Sequence, residues 1–265
     1  MPSPPPIALV FAATDPTGGA GLQADILTLA GLGCYPVSVV TATTVQDTHG
    51  VHTIQPLDAD WVLDQARALL DELPIAAFKL GVLGSAENAR AIAGLLAVHS
   101  SVPVVLDPVL ASGRGEPLAC QATVGVIREQ LLPRTTIVTP NSVEARHLAD
   151  AAPSCGLAAC AAELLRRGAR CVLITGGHEP GTEVTNTLYD ANGVLREGRW
   201  QRLPGSYHGS GCTLASAIAA HLAHGLSIAE AVRCAEDFTW HALARGFRPS
   251  SGQVLPDRLP RAGGG

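Results

Sequence analysis

Ile7-Ala-Leu-Val-Phe-Ala-Ala13 runs into Thr14-Asp-Pro-Thr-Gly-Gly-Ala-Gly21, and this stretch indicates the fold class. The apolar run predicts a buried strand, and the residues after the glycines place Leu22, Ile26 and Leu29 on one face of a helix. A strand, a glycine turn and a helix in this order form a ligand site in α/β proteins. The turn is neither a Walker loop nor a Gly-x-Gly-x-x-Gly fingerprint, so the usual nucleotide motifs do not apply.

Apolar runs alternate with helical patterns along the next part of the chain, between residues 36 and 175. This alternation predicts an α/β fold with a mostly parallel central sheet and helices on both faces. Between Glu183 and Leu203, short strands around Asn192-Gly193 predict a small β-hairpin excursion. Two further helical patterns, Cys212–His224 and Ile228–Arg245, close the fold.

The length of 265 residues fits a single domain spanning 1–265. The Pro-rich head of residues 1–6 and the Pro- and Gly-rich tail of residues 250–265 are expected to be flexible. A net charge of −5 without a basic stripe argues against nucleic acid as a partner. No apolar run reaches membrane-spanning length, and the head does not resemble a secretory signal. Seven cysteines without a Cys-x-x-Cys pair predict a reducing, cytoplasmic location.

A second glycine turn, His208-Gly-Ser-Gly-Cys-Thr-Leu214, leads into an alanine-rich helical segment. Unpaired N–H groups at a helix N-terminus attract anions, and glycines let a phosphate approach them closely. A cysteine at this place, Cys212, is expected to have a lowered pKa and to act as a base. The alternative is a tight turn capped by Ser210, with Cys212 as a small packing residue.

Polar residues follow several of the predicted strands, where ligands of open α/β sheets collect. Asp107 leaves a buried apolar run and enters a glycine-bearing loop, which suits Mg²⁺, although an Asp that caps a turn is the alternative. Asn141 and Glu144 have the spacing of a helix capping box, and from the residues alone that account is preferred. Asp25 lies at the edge of an apolar helix face, where a solvated carboxylate is the simpler interpretation.

Seven motifs together resemble the hydroxymethylpyrimidine/phosphomethylpyrimidine kinases of thiamine biosynthesis, over nearly the whole chain and in the order of that family. They are Asp15-Pro-x-Gly-Gly-Ala-Gly-x-Gln-Ala-Asp25, Thr41-Ala-x-Thr-x-Gln46, Lys79-Leu-Gly, Asp107-Pro-Val, Thr139-Pro-Asn-x-x-Glu-Ala145, Gly176-Gly-His and His208-Gly-Ser-Gly-Cys-Thr-Leu214. The resemblance implies a three-layer ribokinase-like fold, ATP and Mg²⁺ as cofactors, and phosphorylation of 4-amino-5-hydroxymethyl-2-methylpyrimidine. A second transfer, from the monophosphate to the pyrophosphate, is common in the family. The resemblance also implies a homodimer.

The same resemblance suggests roles for individual residues. The pyrimidine is assigned to Asp25, Gln46, Gly19 and Val82, because acceptor and amide groups can pair with a ring nitrogen and an exocyclic amine. The other assignments are Gly209, Ser210, Gly211, Arg114 and Thr175 for ATP and its phosphates, Asp107 and Glu144 for the metal, and Cys212 for catalysis.

Two positions depart from the family pattern, and they affect the expected phosphate contacts. Thr175 stands where many relatives have Lys, and we hypothesise that Arg114, in the loop after Asp107, supplies the missing charge. Tyr207 stands where Thr is usual, and nothing in the sequence explains it. A pyridoxal or pyridoxine kinase is the nearest alternative function. A non-catalytic pyrimidine-binding regulatory module is an alternative of another class.

Overall fold

The computed structural model describes residues 4–113 and 115–259. Nine strands form one sheet in the order β3-β2-β1-β4-β5-β6-β7-β8-β9. Their bounds are β1 Ile7–Ala13, β2 Tyr35–Gln46, β3 Val51–Pro56, β4 Ile75–Leu80, β5 Val104–Leu106, β6 Ile137–Val138, β7 Cys171–Ile174, β8 Glu183–Asp190 and β9 Gly193–Gln201. The six strands from β2 to β7 in this order pair in parallel, while β3, β8 and β9 pair antiparallel to their neighbours. The mostly parallel sheet is therefore confirmed.

Eight α-helices lie in the described part of the chain. They are α1 Gly21–Gly31, α2 Ala59–Leu70, α3 Ala86–Val98, α4 Gln121–Val126, α5 Ser142–Leu148, α6 Leu157–Arg166, α7 Ser210–Ala223 and α8 Ile228–Ala244. Helix α4 continues as a π turn, Ile127–Leu131, and then as a short 3-10 turn that contains Pro133. Pro lacks a backbone N–H and disfavours a regular α-helix, which accounts for this irregular end.

The helices cover both faces of the sheet, which confirms the three layers. One apolar cluster packs α2 to α6 against the face that carries Leu9 and Phe11 of β1. The other packs α1, α7 and α8 against the opposite face, which carries Ala8 and Val10. Successive side chains of a strand point to opposite faces, and both faces here are covered. This is why the central strands read as nearly continuous apolar runs.

The hairpin of β8 and β9 is also confirmed, with Gly193 at its turn. The sequence analysis missed β3, which pairs antiparallel with the end of β2 at the edge of the sheet. Its alternating residues are only partly buried, so the strand depends on pairing with β2 rather than on a core face.

The C-terminal segment differs from the flexible tail that the sequence predicted. Val254 bridges to Tyr207, and Leu255 bridges to Phe247 next to the end of α8. Gln253, Val254, Leu255 and Arg258 are all buried. We call residues 250–258 the C-terminal strap, because they run across the end of the sheet that carries both glycine turns. The rest of the tail, after residue 259, and the first three residues of the head lie outside the described residues.

Candidate active site

A cleft of about 480 Å³ follows the carboxyl edge of the parallel strands. Parallel strands end at the same edge of a sheet, so the polar residues that follow them come together there. One end of the cleft contains Gln46 and Val82, and the other contains Thr175 and Trp200. The start of α7 lies between these ends and contributes residues 209–212 to the lining.

Helix α7 begins at this cleft, and its first N–H groups have no backbone partner within the described part of the chain. Gly209 precedes the helix in the left-handed conformation, with φ of 73°, and no side chain caps the helix. Ser210 is the first helical residue and not the cap that the sequence left open as an alternative. Ser210, Gly211 and Cys212 at this helix start line the cleft, where the helix dipole would favour an anion, and the predicted phosphate site stays a prediction.

The first glycine turn is organised around the carboxylate of Asp15. Its oxygens accept hydrogen bonds from the backbone N–H groups of Thr17 and Ala20, at 2.9 and 2.7 Å. Burial tends to raise the pKa of Asp15, but the hydrogen bonds from His208 and the backbone outweigh it and lower the pKa. Asp15 therefore stays ionised. Gly19 does not line the cleft, because the space beside its Cα is occupied by His208 and Leu255.

Arg258 of the C-terminal strap joins the two glycine turns from behind. Its guanidinium donates hydrogen bonds to the carbonyl oxygens of Gly18, Gly19 and Gly209, and to Oγ1 of Thr213. Arg258 binds the carbonyl oxygens on one side of the turns, so the N–H groups that point the other way remain free for the cleft. Arg258 thereby supports the orientation of both turns toward the cleft. No motif in the sequence pointed to this residue.

Asp25 is not in the cleft, contrary to its assignment to the pyrimidine. It is fully buried, and its two oxygens accept hydrogen bonds from Lys79 Nζ and Ser216 Oγ, both at 2.7 Å. Lys79 lies on β4, where successive side chains point to opposite faces of the sheet. Phe78 and Leu80 point into one apolar cluster, so Lys79 points to the other face, toward α1 and α7. Burial alone would lower the pKa of Lys79, but the attraction of Asp25 raises it. The pair, with Ser216, connects α1 and β4 to α7 inside the fold.

Cys212 has a raised pKa, which corrects the expectation of an acidic thiol. Removal from water, with the negative charges of Asp107 and Asp25, raises the pKa to about 12, although Lys79 opposes this. Backbone N–H groups at a helix N-terminus lower the pKa of a nearby thiol. At Cys212 the opposing effects of burial and of the two carboxylates are larger. Cys212 is thus a neutral thiol near pH 7.

Asp107 and Glu144 are close enough to influence each other. Burial raises the pKa of Asp107 to about 6, with the Lys79 charge opposing the shift. Burial and the nearby Asp107 raise the pKa of Glu144 to about 8. Glu144 also forms the predicted capping box, and its two oxygens accept the N–H groups of Leu110 and Asn141. One oxygen of Asp107, Oδ2, is buried without a partner among the described residues.

Replacement of Glu144 by Gln should make stability less dependent on pH. The pKa of Glu144 is about 8 in the folded protein, whereas its ordinary value is 4.5. The contribution of Glu144 to stability is therefore fully present below pH 4.5 and is lost as the pH rises toward 8. Without divalent metal and above pH 8, the unfolding free energy of Glu144→Gln should exceed that of wild type by on the order of 2 kcal/mol. This value is below the full effect of the pKa shift because the side chain is partly exposed to solvent. Urea unfolding at several pH values measures it.

The control is Glu87→Gln, which changes an exposed acid in the first turn of α3. Above pH 6 it should leave the pH dependence of the unfolding free energy at the wild-type slope, because hydrogen bonding lowers the pKa of Glu87 and confines its effect to more acidic solution. If Glu144 acts only through the capping box, Glu144→Gln will instead lose stability at every pH, and the argument from burial will be wrong.

The end of the cleft that the sequence analysis assigned to the pyrimidine, called the ring end below, is formed by the end of β2 and the loop after β4. Gln46 Nε2 lies 2.8 Å from Nε2 of His208, and Gln46 Oε1 lies 3.4 Å from Oγ1 of Thr44. Val82 lines the same end, and its carbonyl accepts a hydrogen bond from Thr41. Of the four residues assigned to the pyrimidine, the structure brings Gln46 and Val82 into the cleft.

At the other end, Thr175 lines the cleft as expected, whereas Arg114 lies outside the described residues. The hypothesis about Arg114 therefore stays a prediction. The sequence analysis did not identify Trp200 and Thr239, which also line this end. Trp200 Nε1 and Thr239 Oγ1 are buried without a protein partner in the described part of the chain. Unpaired buried donors in a cleft are typical of a site that a polar ligand completes.

Two negative observations apply to the described residues only. No group of three or more His, Cys, Asp or Glu side chains there is arranged to hold a metal ion. None of the helices there has the length and apolar character that crossing a membrane requires.

Comparison with known proteins places this geometry in context. The sequence profile of the family described as Phosphomethylpyrimidine kinase matches residues 15–257. A hydroxymethylpyrimidine/phosphomethylpyrimidine kinase of Streptomyces coelicolor is 39% identical over 261 residues, which cover 96% of this chain and 94% of the relative.

Solved structures with the same fold include members of two kinase groups. A phosphomethylpyrimidine kinase of Clostridium difficile is 32% identical, with a TM-score of 0.77, and the match covers 88% of this chain and 97% of that one. A pyridoxal kinase of Staphylococcus aureus in complex with pyridoxal is 28% identical, with a TM-score of 0.87 and coverages of 96% and 93%. The ribokinase-like fold is therefore confirmed. Overall shape does not separate the two groups.

Proposed function

The chain belongs to the phosphomethylpyrimidine kinase family, and from this premise we propose that it phosphorylates 4-amino-5-hydroxymethyl-2-methylpyrimidine with ATP. We extend the proposal to a second transfer, from ATP to the monophosphate, in thiamine biosynthesis. The proposal depends mainly on one observation, which is that the uncapped N-terminus of α7 lies in the middle of a single cleft. The ring end lies on one side of it, and the end that contains Thr175 and Trp200, proposed for the nucleotide, lies on the other. A phosphoryl group that passes between two bound molecules requires an anion site in this position.

In the proposed reaction, the hydroxymethyl oxygen forms a bond to the γ-phosphorus, and the bond to the bridging oxygen of ADP breaks. The N–H groups of residues 210–212 stabilise the charge on the transferred group. Gln46 pairs with the ring nitrogen and the amine, and so positions the hydroxymethyl group. The transition state of such transfers is loose, so the attacking hydroxyl keeps its proton until late and then passes it to an oxygen of the transferred phosphoryl group. A neutral Cys212 is compatible with this order of events.

Mg²⁺ is proposed as the metal, held by Asp107 and Glu144. These residues fit, because Asp107 Oδ2 is buried and has no partner within residues 4–113 and 115–259, and because a second carboxylate is nearby. Mg²⁺ is commonly held by one or two carboxylates with water and substrate phosphates, so a larger cluster of protein ligands is not required. When bound, it would neutralise phosphate charge.

Replacement of Asp107 by Asn should raise the Mg²⁺ concentration for half-maximal turnover by roughly tenfold, because the amide keeps the shape and removes the charge. Turnover measured across a Mg²⁺ titration checks this. Asp64→Asn, on the exposed side of α2, should show the wild-type titration. A wild-type titration curve for Asp107→Asn would remove Asp107 from the metal site.

The role of Cys212 is tested with two substitutions. If the neutral thiol accepts a hydrogen bond from the hydroxymethyl group and donates one to Asp107, Ser can replace it and Ala cannot. We expect kcat of Cys212→Ser within a few-fold of wild type, and kcat of Cys212→Ala lower by about 10²-fold. Cys234→Ala, on α8 and outside the cleft, is the control. A loss in the Ser variant as large as in the Ala variant would favour a thiolate base.

A coupled assay for ADP formation tests the proposed function directly. Hydroxymethylpyrimidine, its monophosphate and pyridoxal are compared at equal concentrations with the same enzyme. We expect the highest kcat/KM for the pyrimidine and measurable turnover of its monophosphate. Pyridoxal kinase is the second candidate, because solved pyridoxal kinases match the whole fold so well. A preference for pyridoxal would establish that candidate, and binding without ADP formation would indicate a regulatory module.

We also propose a cytoplasmic location, supported by seven cysteines that are all free. The homodimer stays a prediction from the family resemblance.

A further inference from the structure

His208 connects the first glycine turn with the ring end of the cleft through one atom. Its Nε2 lies 2.8 Å from Asp15 Oδ2 and 2.8 Å from the amide of Gln46. The backbone N–H of His208 donates to Val254 O in the C-terminal strap, at 2.9 Å. A Cβ on Gly19 would lie 2.4 Å from Cδ2 of His208, so the imidazole packs directly against that turn. The ring is held in place and only 12% of the side chain is exposed.

Asp15 decides where the imidazole carries its hydrogen. An ionised carboxylate only accepts hydrogen bonds, and the pKa of Asp15 is lowered despite its burial. The contact of 2.8 Å between Oδ2 and Nε2 is therefore favourable only if Nε2 carries the hydrogen. The single hydrogen on His208 Nε2 then lies between two acceptors, Asp15 Oδ2 and the Gln46 amide, as a three-centre hydrogen bond.

Two neighbours then determine how the Gln46 amide must lie. A donor at His208 Nε2 requires the amide oxygen, and not the NH2 group, on that side. Thr44 Oγ1 already donates its hydrogen to Thr14 O at 2.8 Å, so it can only accept from Gln46 and requires the NH2 group. A half turn of the amide about its last bond exchanges the two ends in nearly the same space, and that orientation satisfies both neighbours.

We propose that His208 is a specificity-determining positioning residue, which holds the Gln46 oxygen on the His208 side so that the amide selects a ring bearing an amino group beside a ring nitrogen. This inference rests on the proposed function, in which Gln46 pairs with the ring edge. The held oxygen has a second lone pair for the exocyclic amine, and the free N–H of the amide donates to the ring nitrogen.

A ring with an oxo group in place of the amine presents the reverse order, an acceptor beside an N–H donor. To pair with it, the amide would have to turn and place its NH2 group against the N–H of His208. Two donors that face each other in a partly buried site are unfavourable, because neither is satisfied. The His208 contact therefore fixes which end of the Gln46 amide lies on each side, and a fixed amide distinguishes the amino ring from the oxo ring.

The test compares two substrates, 4-amino-5-hydroxymethyl-2-methylpyrimidine and the analogue with a 4-oxo group. Wild type should favour the amino ring by about 10²-fold or more in kcat/KM. His208→Phe keeps a flat ring without the N–H, so its amino-to-oxo ratio should fall about tenfold. His208→Gln offers an N–H in a similar place and should restore most of the ratio. The KM for ATP should stay unchanged in both variants.

A double-mutant cycle separates this role from a general loss of structure. Gln46→Leu removes the amide, so His208→Phe should change the ratio little when added to Gln46→Leu. His224→Phe is the matched control, because His224 is bound to Leu32 O and lies outside the cleft. If His208→Phe does not fold, Thr44→Val removes the other restraint at nearly constant shape, and it should also lower the ratio.

The outcomes are distinguishable. An active wild type with the same amino-to-oxo ratio in His208→Phe, or in Thr44→Val where that variant replaces it, overturns the inference and leaves the proposed function intact. Equal effects of His208→Phe with and without Gln46 also overturn it. A wild type that phosphorylates neither ring overturns the proposed function, and the inference with it. A lowered ratio that His208→Gln restores supports the inference.

Discussion

Gly209→Ala is expected to lower kcat by roughly 10²–10³-fold, because the added methyl group would push the two glycine turns apart. Gly209 has a φ of 73°, and a Cβ there would lie 2.0 Å from the carbonyl oxygen of Gly19. It would also lie 2.8 Å from Arg258 Nη2. The carbonyl belongs to the backbone, so relief of the contact moves the turn itself. The N–H groups at the start of α7 would then no longer converge on the transferred phosphate.

Gly18→Ala is a matched control for this prediction. Gly18 has the same φ of 73°, but nothing lies within 4 Å of its hypothetical Cβ. It should therefore show only the cost of the left-handed conformation, about 1 kcal/mol of unfolding free energy, with kcat near wild type. Steady-state kinetics and urea unfolding of both variants provide the comparison. Similar kcat values for the two would show that contact between the turns is not needed for catalysis.

Arg258→Met is expected to lower the unfolding free energy by about 3 kcal/mol or more. The guanidinium is 4% exposed and donates to three carbonyl oxygens and one hydroxyl, all of which would lose a buried donor. Its charge also offsets the carboxylates of Asp15 and Asp25. Because both turns are held by these bonds, kcat should fall with stability. Urea unfolding and turnover at saturating ATP measure the two effects.

Arg248→Met, at an exposed position next to the C-terminal strap, should be within about 0.5 kcal/mol of wild type. Arg258→Lys should recover part of the stability, since an ammonium group keeps the charge but reaches fewer carbonyls. An Arg258→Met protein as stable as wild type would mean that other contacts hold the turns.

Most of the fold could be predicted from local patterns. The apolar runs and helical patterns correspond to elements of the structure, because buried parallel strands and amphipathic helices each impose a period on the sequence. Strand β3 was missed for the opposite reason. Its residues are only partly buried, and its stability comes from pairing with β2, which a short polar stretch does not reveal.

The candidate site was predicted where the signal is local. The glycine turns and the polar residues after the strands are visible in the sequence, and the shared edge of a parallel sheet brings them together. Glu144 and Asn141 likewise form the capping box that their spacing predicted. Asp25 was misplaced because the sequence does not show which charged residue lies on a neighbouring element. Its partner Lys79 is 54 positions away along the chain.

The sequence by itself determined the α/β class, the two glycine turns and the family, because each depends on residues that are close together or in a characteristic order. Only the tertiary structure decided that Cys212 is a neutral thiol, that Arg258 joins the turns, and that His208 faces both Asp15 and Gln46. Burial and charge at these positions arise from residues far apart in the chain. A pKa or a hydrogen bond inside a folded protein depends on those distant groups, and a local pattern contains no record of them.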